Sequence, residues 1–291
     1  MQQMKGTGVA LVTPFNSDFS IDFDALAKLV EHCINGGLEY LVVLGTTGEG
    51  PTLNKEEKKQ IFKFVADKVA GRVPLVAGIG GADTREVMES LKSFDANGYS
   101  AILSVSPYYN KPNQEGIYLH YMELVKVTPL PIIIYNVPGR TGMGISAATT
   151  LRLANASTKF IAVKEASGNP EVFMDILKDK PAHFSVISGD DNLTLPFMAV
   201  GMSGVISVIA QAYPKDYSDM VRLALAGNFT EAAKLHFKLY DVMKTIFADG
   251  NPGGVKVLLE NLGIGKNIVR LPLAPVNNQV KEKLLALAAA L

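Results

Sequence analysis

Phe160-Ile-Ala-Val-Lys-Glu-Ala-Ser-Gly168 decides how the rest of the chain is read. Phe160 to Val163 form an apolar run with β-branched character, the pattern of a buried strand, and Lys164 falls where that run stops. A lysine held in an apolar wall can lose enough hydration to become a neutral amine near neutral pH, and a neutral amine attacks ketones. Taken alone, a lysine at a strand end is more often solvated or ion-paired than reactive. The weight of the reading therefore rests on the other strand ends.

Outward from this stretch, short apolar runs alternate with amphipathic segments at close to the ~30 residues of a strand plus its crossover helix. The runs predict strands at Val9–Val12, Tyr40–Leu44, Leu75–Gly78, Ala101–Val105, Ile132–Tyr135, Ile161–Lys164, Ser185–Ser188 and Gly204–Val208. Helices are expected between them at Asp22–Asn35, Asn54–Val69, Thr84–Asn97, Gln114–Val127, Ser146–Asn155, Pro170–Leu177 and Leu193–Val200, the second opening on Asn54 with Glu57 three residues later as a capping box. Eight strands alternating with helices predict an α/β fold, a (β/α)8 TIM barrel. A doubly wound open sheet shares the alternation, but no Gly-x-Gly-x-x-Gly follows the first strand. The barrel is expected over residues 1–210. Residues 211–291, with helical patterns at Lys215–Ala226, Thr230–Phe247, Gly254–Leu262 and Asn278–Leu291, exceed what a barrel needs and read as a C-terminal helical extension packed on it or building an oligomer contact.

Composition narrows the function. With 291 residues, 48% of them hydrophobic, the chain can bury about three quarters of its unfolded surface and needs no disulfide or metal to hold a core. Twenty-eight acidic residues balance 28 basic ones, without a basic block, so no nucleic acid and no anionic membrane is expected as partner; the ligand should be small. Cys33, the single cysteine, sits in a helical pattern as a small apolar group and excludes an intrachain disulfide. Met1-Gln-Gln-Met-Lys-Gly6 lacks the apolar core of a signal peptide, and no run reaches the ~20 apolar residues of a membrane span. A cytoplasmic location is the expectation.

In barrel enzymes the active site lies where the strands end. Those ends read Gly45-Thr-Thr-Gly-Glu-Gly50, Ile79-Gly-Gly81, Ser106-Pro-Tyr-Tyr-Asn110, Tyr135-Asn-Val-Pro-Gly-Arg140, Lys164-Glu165 and Ser188-Gly-Asp-Asp191. Tyr135 and Lys164 stand 29 positions apart (164 − 135), one βα repeat, which predicts neighbouring strands and one barrel face. A phenol beside an imine-forming amine is useful, because forming and dehydrating a carbinolamine both move a proton at the reacting centre. Thr46-Thr47 lacks the Gly-Lys-Ser/Thr ending of a phosphate loop, and paired hydroxyls there suit a carboxylate or a proton relay. The fork of Arg140 suits a substrate carboxylate, a surface ion pair being the alternative. Gly189 is counted with the substrate-contacting positions. His32, His120, His183 and His236 are scattered and none is at a strand end, so a covalent mechanism is favoured over a metal. Asp190-Asp191 reads as a loop or helix-cap feature.

Gly45-Thr-Thr-Gly-Glu49, Tyr135-Asn-Val-Pro-x-Arg140, Lys164-Glu-Ala-Ser-Gly168 and Gly204-Val-Ile-Ser207, in this order, closely resemble the dihydrodipicolinate synthase family of pyruvate-dependent class I aldolases, and the similarity runs through essentially the whole chain. The resemblance implies a (β/α)8 homotetramer that condenses pyruvate with L-aspartate 4-semialdehyde on the route to diaminopimelate and lysine. It implies no cofactor beyond a covalent Schiff base. By residue matching, Lys164 forms that Schiff base and Tyr135 donates and accepts protons. Thr46 and Tyr109 match the proton relay, the latter lent by a neighbouring subunit. Thr47 and Ile206 match positions that hold pyruvate, and Arg140 shapes the semialdehyde site. The chain departs from lysine-inhibited members at the allosteric positions, where it carries Gly50, Pro51, Lys55, Lys58 and Ala82 and keeps only Glu86 and Tyr108; two added ammonium groups there should repel lysine.

Three rivals remain. An N-acetylneuraminate lyase or 2-keto-3-deoxy sugar acid aldolase of the same family would keep the pyruvate chemistry, but Arg140 suits a carboxylated aldehyde better than a polyol. A catalytically silent barrel is disfavoured by the complete set of Lys164, Tyr135, Thr46 and Tyr109. A phosphate-binding isomerase is disfavoured because strands seven and eight end without a Gly-rich loop.

Overall fold

The structure is a computed structural model that describes residues 4–291. Part of the N-terminal stretch on which the signal-peptide reading rests therefore lies outside the described residues. Eight parallel strands close into a barrel in chain order: β1 (Gly6–Ala10), β2 (Tyr40–Val43), β3 (Leu75–Gly78), β4 (Ala101–Val105), β5 (Ile132–Asn136), β6 (Phe160–Glu165), β7 (Ser185–Ser188) and β8 (Gly204–Ser207). β1 pairs with both β2 and β8, so the described sheet has no free edge. The expected TIM barrel is present.

Helices α1 (Phe23–Asn35), α2 (Lys55–Val69), α3 (Thr84–Lys92), α4 (Gln114–Val127), α5 (Pro138–Thr141), α6 (Ala147–Ala156), α7 (Pro170–Asp179) and α8 (Thr194–Ala199) fill the crossovers. They start where their caps dictate. Asn54 accepts from Glu57 N while Glu57 Oε2 accepts from Asn54 N, both at 2.9 Å, the reciprocal capping box that the sequence predicts. After β8 come α9 (Pro214–Leu225), α10 (Phe229–Thr245), α11 (Gly253–Asn261) and α12 (Asn278–Ala289). α9 packs against β1 and α10, and α12 packs against α10 and α11. None of the described helices is long and apolar enough to cross a membrane.

Strand side chains alternate between two buried surfaces. One set, including Val42, Val76, Leu103, Ile133, Ala162 and Ile206, fills the barrel interior. The other set packs beneath the helices in the larger cluster. Tyr40 enters the interior layer from β2 and donates to Val205 O at 3.0 Å, and its ring takes the space beside Gly8, where an added Cβ would lie 2.0 Å from it. That requirement also explains a shift in β1. The strand was expected at Val9–Val12 but runs over Gly6–Ala10, because glycine carries no strand signal, and Val12 N is taken by the Gln211 side chain at 2.7 Å.

α3 also differs, ending at Lys92 rather than Asn97. Ser93 turns its hydroxyl back to Glu89 O, the Asp95 side chain accepts from Asn97 N, and Phe94 and Tyr99 leave the helix to pack against Phe62 at 5.1 and 5.6 Å between ring centres. Local side-chain bonding and an aromatic cluster outcompete further helical turns.

Candidate active site

Tyr135 and Lys164 are direct register partners across β5 and β6. In a parallel pair such partners point to the same face, here the barrel interior at its carboxyl end. Lys164 is 5% exposed, and its Nζ lies 4.4 Å from the centre of the Tyr135 ring. It has no hydrogen-bond or ion-pair partner among the described residues. The next residue on each strand fixes this pair from behind. Asn136 Nδ2 donates to Glu165 Oε2 at 2.8 Å, Asn136 Oδ1 accepts from Ile145 N at 2.9 Å, and Ser167 N donates to Glu165 Oε1 at 2.8 Å. Burial raises the Glu165 carboxyl above the usual range, and these hydrogen bonds oppose the rise.

Above the pair opens a cavity of about 310 Å³ that gathers Lys164, Tyr135, Thr46, Thr47, Arg140 and Gly189. Six of the eight candidate residues thus converge. Gly189 is required by space: a Cβ there would stand 2.5 Å from Ala166 Cβ and 3.1 Å from Lys164 Cε. Arg140 sits on the short helix α5 at the rim and makes no ion pair among the described residues, so its guanidinium is available to the cavity. Ile206 is fully buried in the barrel interior, and Val208, two residues on, is the β8-side residue on the cavity wall. Tyr109 stands apart from the other candidates. It lies outside the cavity, 88% exposed, with a backbone φ of 70°.

The Thr46–Gly48 turn is held from two sides. Thr13 Oγ1 donates to Gly48 O at 2.7 Å, and Asn251 Nδ2 donates to Thr47 Oγ1 at 3.0 Å. Glu49 follows in the left-handed region, φ 55°, and sends its carboxylate to Lys256 Nζ at 2.5 Å and Arg270 N at 3.0 Å. Asn251 and Phe247 bring the segment beyond α10 onto the cavity wall. Sequence reasoning missed both, because neither residue type nor spacing announces a contact closed over more than 200 positions. Asp190 was missed too: both members of the acidic pair border the cavity, but the Asp191 carboxylate is taken by backbone amides whereas that of Asp190 accepts no hydrogen bond from a described residue. Among the described residues no group of three or more His, Cys, Asp or Glu is placed to hold a metal.

A buried amine without a hydrogen-bond partner, at a strand end of a closed parallel barrel and facing a cavity of hydroxyls, carboxylates and one guanidinium, marks this end of the barrel as the candidate active site of an α/β-barrel enzyme. The chain belongs to the dihydrodipicolinate synthetase family, whose model matches residues 3–291. It is 53% identical to the 4-hydroxy-tetrahydrodipicolinate synthase of Parabacteroides distasonis over 97% of this chain and 95% of that protein. Among solved structures it is similar to a dihydrodipicolinate synthase from Cyanidioschyzon merolae with lysine bound, at 35% identity, TM-score 0.95 and 99% coverage of both chains. It is also similar to a monomeric dihydrodipicolinate synthase variant, at 34% identity and TM-score 0.95, over 98% of this chain and 96% of that one.

Proposed function

We propose that this enzyme condenses pyruvate with L-aspartate 4-semialdehyde to 4-hydroxy-tetrahydrodipicolinate through a Schiff base on Lys164, with no added cofactor. The observation that carries the reading is the Lys164 amine, buried at the end of β6, without a hydrogen-bond partner and open to a cavity rimmed by Arg140. Unprotonated Lys164 adds to the pyruvate ketone and water leaves, giving an imine. Loss of a methyl proton gives the enamine, whose carbon attacks the aldehyde. The amine of the second substrate then adds to the imine carbon and displaces Lys164. Tyr135, stacked beneath the amine, moves protons in these steps, and Thr46 relays them with Tyr109 from a neighbouring subunit. Thr47, held by Asn251, binds the pyruvate carboxylate, with Ile206 and Gly189 shaping the pyruvate end and Arg140 binding the semialdehyde carboxylate.

The exposed Tyr109 supports an assembly in which that phenol serves another copy, and a homotetramer is the form we favour. Residues 211–291 act as an extension of the barrel domain at 1–210, and the buried, unbridged Cys33 fits a cytoplasmic location. Lysine should inhibit weakly or not at all: burial and then the like charge of Lys55 both lower the proton affinity of Lys58, so the region already resists added cations. A half-effect at sub-millimolar lysine would overturn this.

Borohydride should trap pyruvate on the wild-type protein and not on Lys164→Ala; trapping that survived the substitution would sink the assignment. Turnover with aspartate semialdehyde should exceed that with sugar aldehydes, since Arg140 favours a carboxylated acceptor. The opposite preference would instead establish a sugar acid aldolase.

A further inference from the structure

Asp190 and Asp191 follow one another at the end of β7, yet their carboxylates have opposite fates. Asp191 is spent on structure: it is 1% exposed, its Oδ1 accepts from Val208 N at 3.2 Å, and its Oδ2 accepts from Val208 N at 3.1 Å and Ile209 N at 2.8 Å. The Asp190 carboxylate accepts no hydrogen bond from any described residue, and its Oδ2 is closed off without a partner. Its backbone, by contrast, is pinned. Asp190 N donates to Ser188 Oγ at 3.2 Å, while Asp190 O accepts from Thr194 Oγ1 at 2.8 Å and Leu193 N at 3.2 Å. An unsatisfied carboxylate in a site this confined is costly to keep. It lies on the wall of the Lys164 cavity, which also carries Arg140. A cavity with one guanidinium and one unclaimed carboxylate is matched to a ligand bearing both an anion and a cation.

Resting on the function proposed above, we infer that Asp190 binds the α-ammonium of the second substrate and accepts its proton before ring closure. The charges near Asp190 explain why the second substrate is accepted in turn. Lys164, when protonated, attracts the Asp190 carboxylate, and Asp191 and Glu165 repel it. Once Lys164 is tied up as the neutral enamine, that positive charge is gone, and an incoming ammonium takes its place. Burial raises the Asp190 carboxyl above its ordinary range, with Lys164 opposing and Asp191 adding to the rise, which strengthens it as a proton acceptor. The ammonium gives one proton to Asp190. The resulting amine forms a bond to the imine carbon, a proton shifts to Lys164 Nζ, and the bond from that carbon to Nζ breaks with its electron pair going to Nζ. The ring iminium proton and the one on Asp190 then pass to solvent.

The test is Asp190→Asn in the full-length enzyme, with three readouts. Borohydride trapping of pyruvate should stay at the wild-type level, which separates this idea from the Schiff-base assignment: absence of trapping in the wild type would defeat that assignment instead. The kcat/KM for aspartate semialdehyde should fall by about a hundredfold, as when a site loses the one group that answers a substrate's charge. Binding of a four-carbon aldehyde acid lacking the amino group, measured as competitive inhibition, should not change. A loss of kcat/KM below about tenfold overturns the inference, and so does an equal weakening of the amine-free acid or a loss of trapping, since either would mean that Asp190 only maintains the cavity.

Discussion

Two lysines are buried among the described residues, and the molecule treats them in opposite ways. Lys256, on α11, is 2% exposed, and its Nζ donates to Glu49 Oε1 at 2.5 Å, Thr13 O at 2.8 Å and Ile268 O at 2.6 Å. An ammonium has three donors, so this one is saturated. Lys164 is nearly as buried, lies against the face of Tyr135 and makes no hydrogen bond or ion pair with a described residue. Burial alone therefore does not leave an amine free for a ligand. What separates the two is the count of partners: Lys256 ties the Thr46-Thr47 loop to the C-terminal segment, and Lys164 keeps its donors for a ligand.

The strongest way to break this contrast is to replace each lysine by methionine and compare unfolding midpoints. Lys256→Met leaves Glu49 buried without its counter-charge and should cost about 3–5 kcal/mol. Lys164→Met removes an amine that nothing satisfies, so stability should change by less than about 1 kcal/mol or rise, as expected where a functional group is kept at a cost to stability. Equal losses would show that Lys164 has structural partners after all. Adding Glu49→Gln to Lys256→Met should recover part of the loss, because the carboxamide leaves no uncompensated charge.

The placement of the unpartnered lysine was legible in the sequence and that of the saturated one was not. Tyr135 and Lys164 could be paired from one-dimensional spacing, because parallel strands of a barrel recur at one βα repeat and register follows from that repeat. Lys256 sits in an apolar helical pattern, and its partner Glu49 is 207 positions away, a distance at which no periodicity speaks. Asn251 on Thr47 is hidden for the same reason. The acidic pair misled in another way: a sequence gives Asp190 and Asp191 the same chemistry, and only the backbone amides of Val208 and Ile209 choose which of them is consumed. Strand β1 was displaced because Gly6 and Gly8 are chosen for space, not for strand propensity.

Gly189 sharpens the comparison from the Lys164 side, since it keeps that amine's surroundings open. In Gly189→Ala the new methyl would meet Ala166 Cβ at 2.5 Å, Glu165 O at 3.1 Å and Lys164 Cε at 3.1 Å, so the lysine has to turn away. We expect kcat to fall by about a hundredfold, near 2.7 kcal/mol in activation free energy, with borohydride trapping of pyruvate slowed in proportion. Folding stability should change less than it does in Lys256→Met. An unchanged kcat would mean that the amine tolerates a crowded approach and that its open side is incidental.

The smallest effect concerns the acid–base behaviour of the saturated lysine. Burial lowers the Lys256 ammonium from 10.5 to about 8, against the pull of Glu49, with Arg270 adding to the fall. The folded protein then releases this proton at a lower pH than the unfolded chain does. Between about 8 and 10.5 the unfolded state binds more protons, so this group makes stability rise with pH across that window, and the contribution is lost as pH falls through 8. The rise is at most about 1.4 kcal/mol per pH unit. Urea midpoints measured from pH 8 to 9.5 should carry this upward component in the wild type and in Lys164→Met, and should lack it in Lys256→Met. A downward component that disappears with Lys256 would mean that the Glu49 pair outweighs desolvation, making Lys256 a net stabilising charge and the gap between the two buried amines wider still.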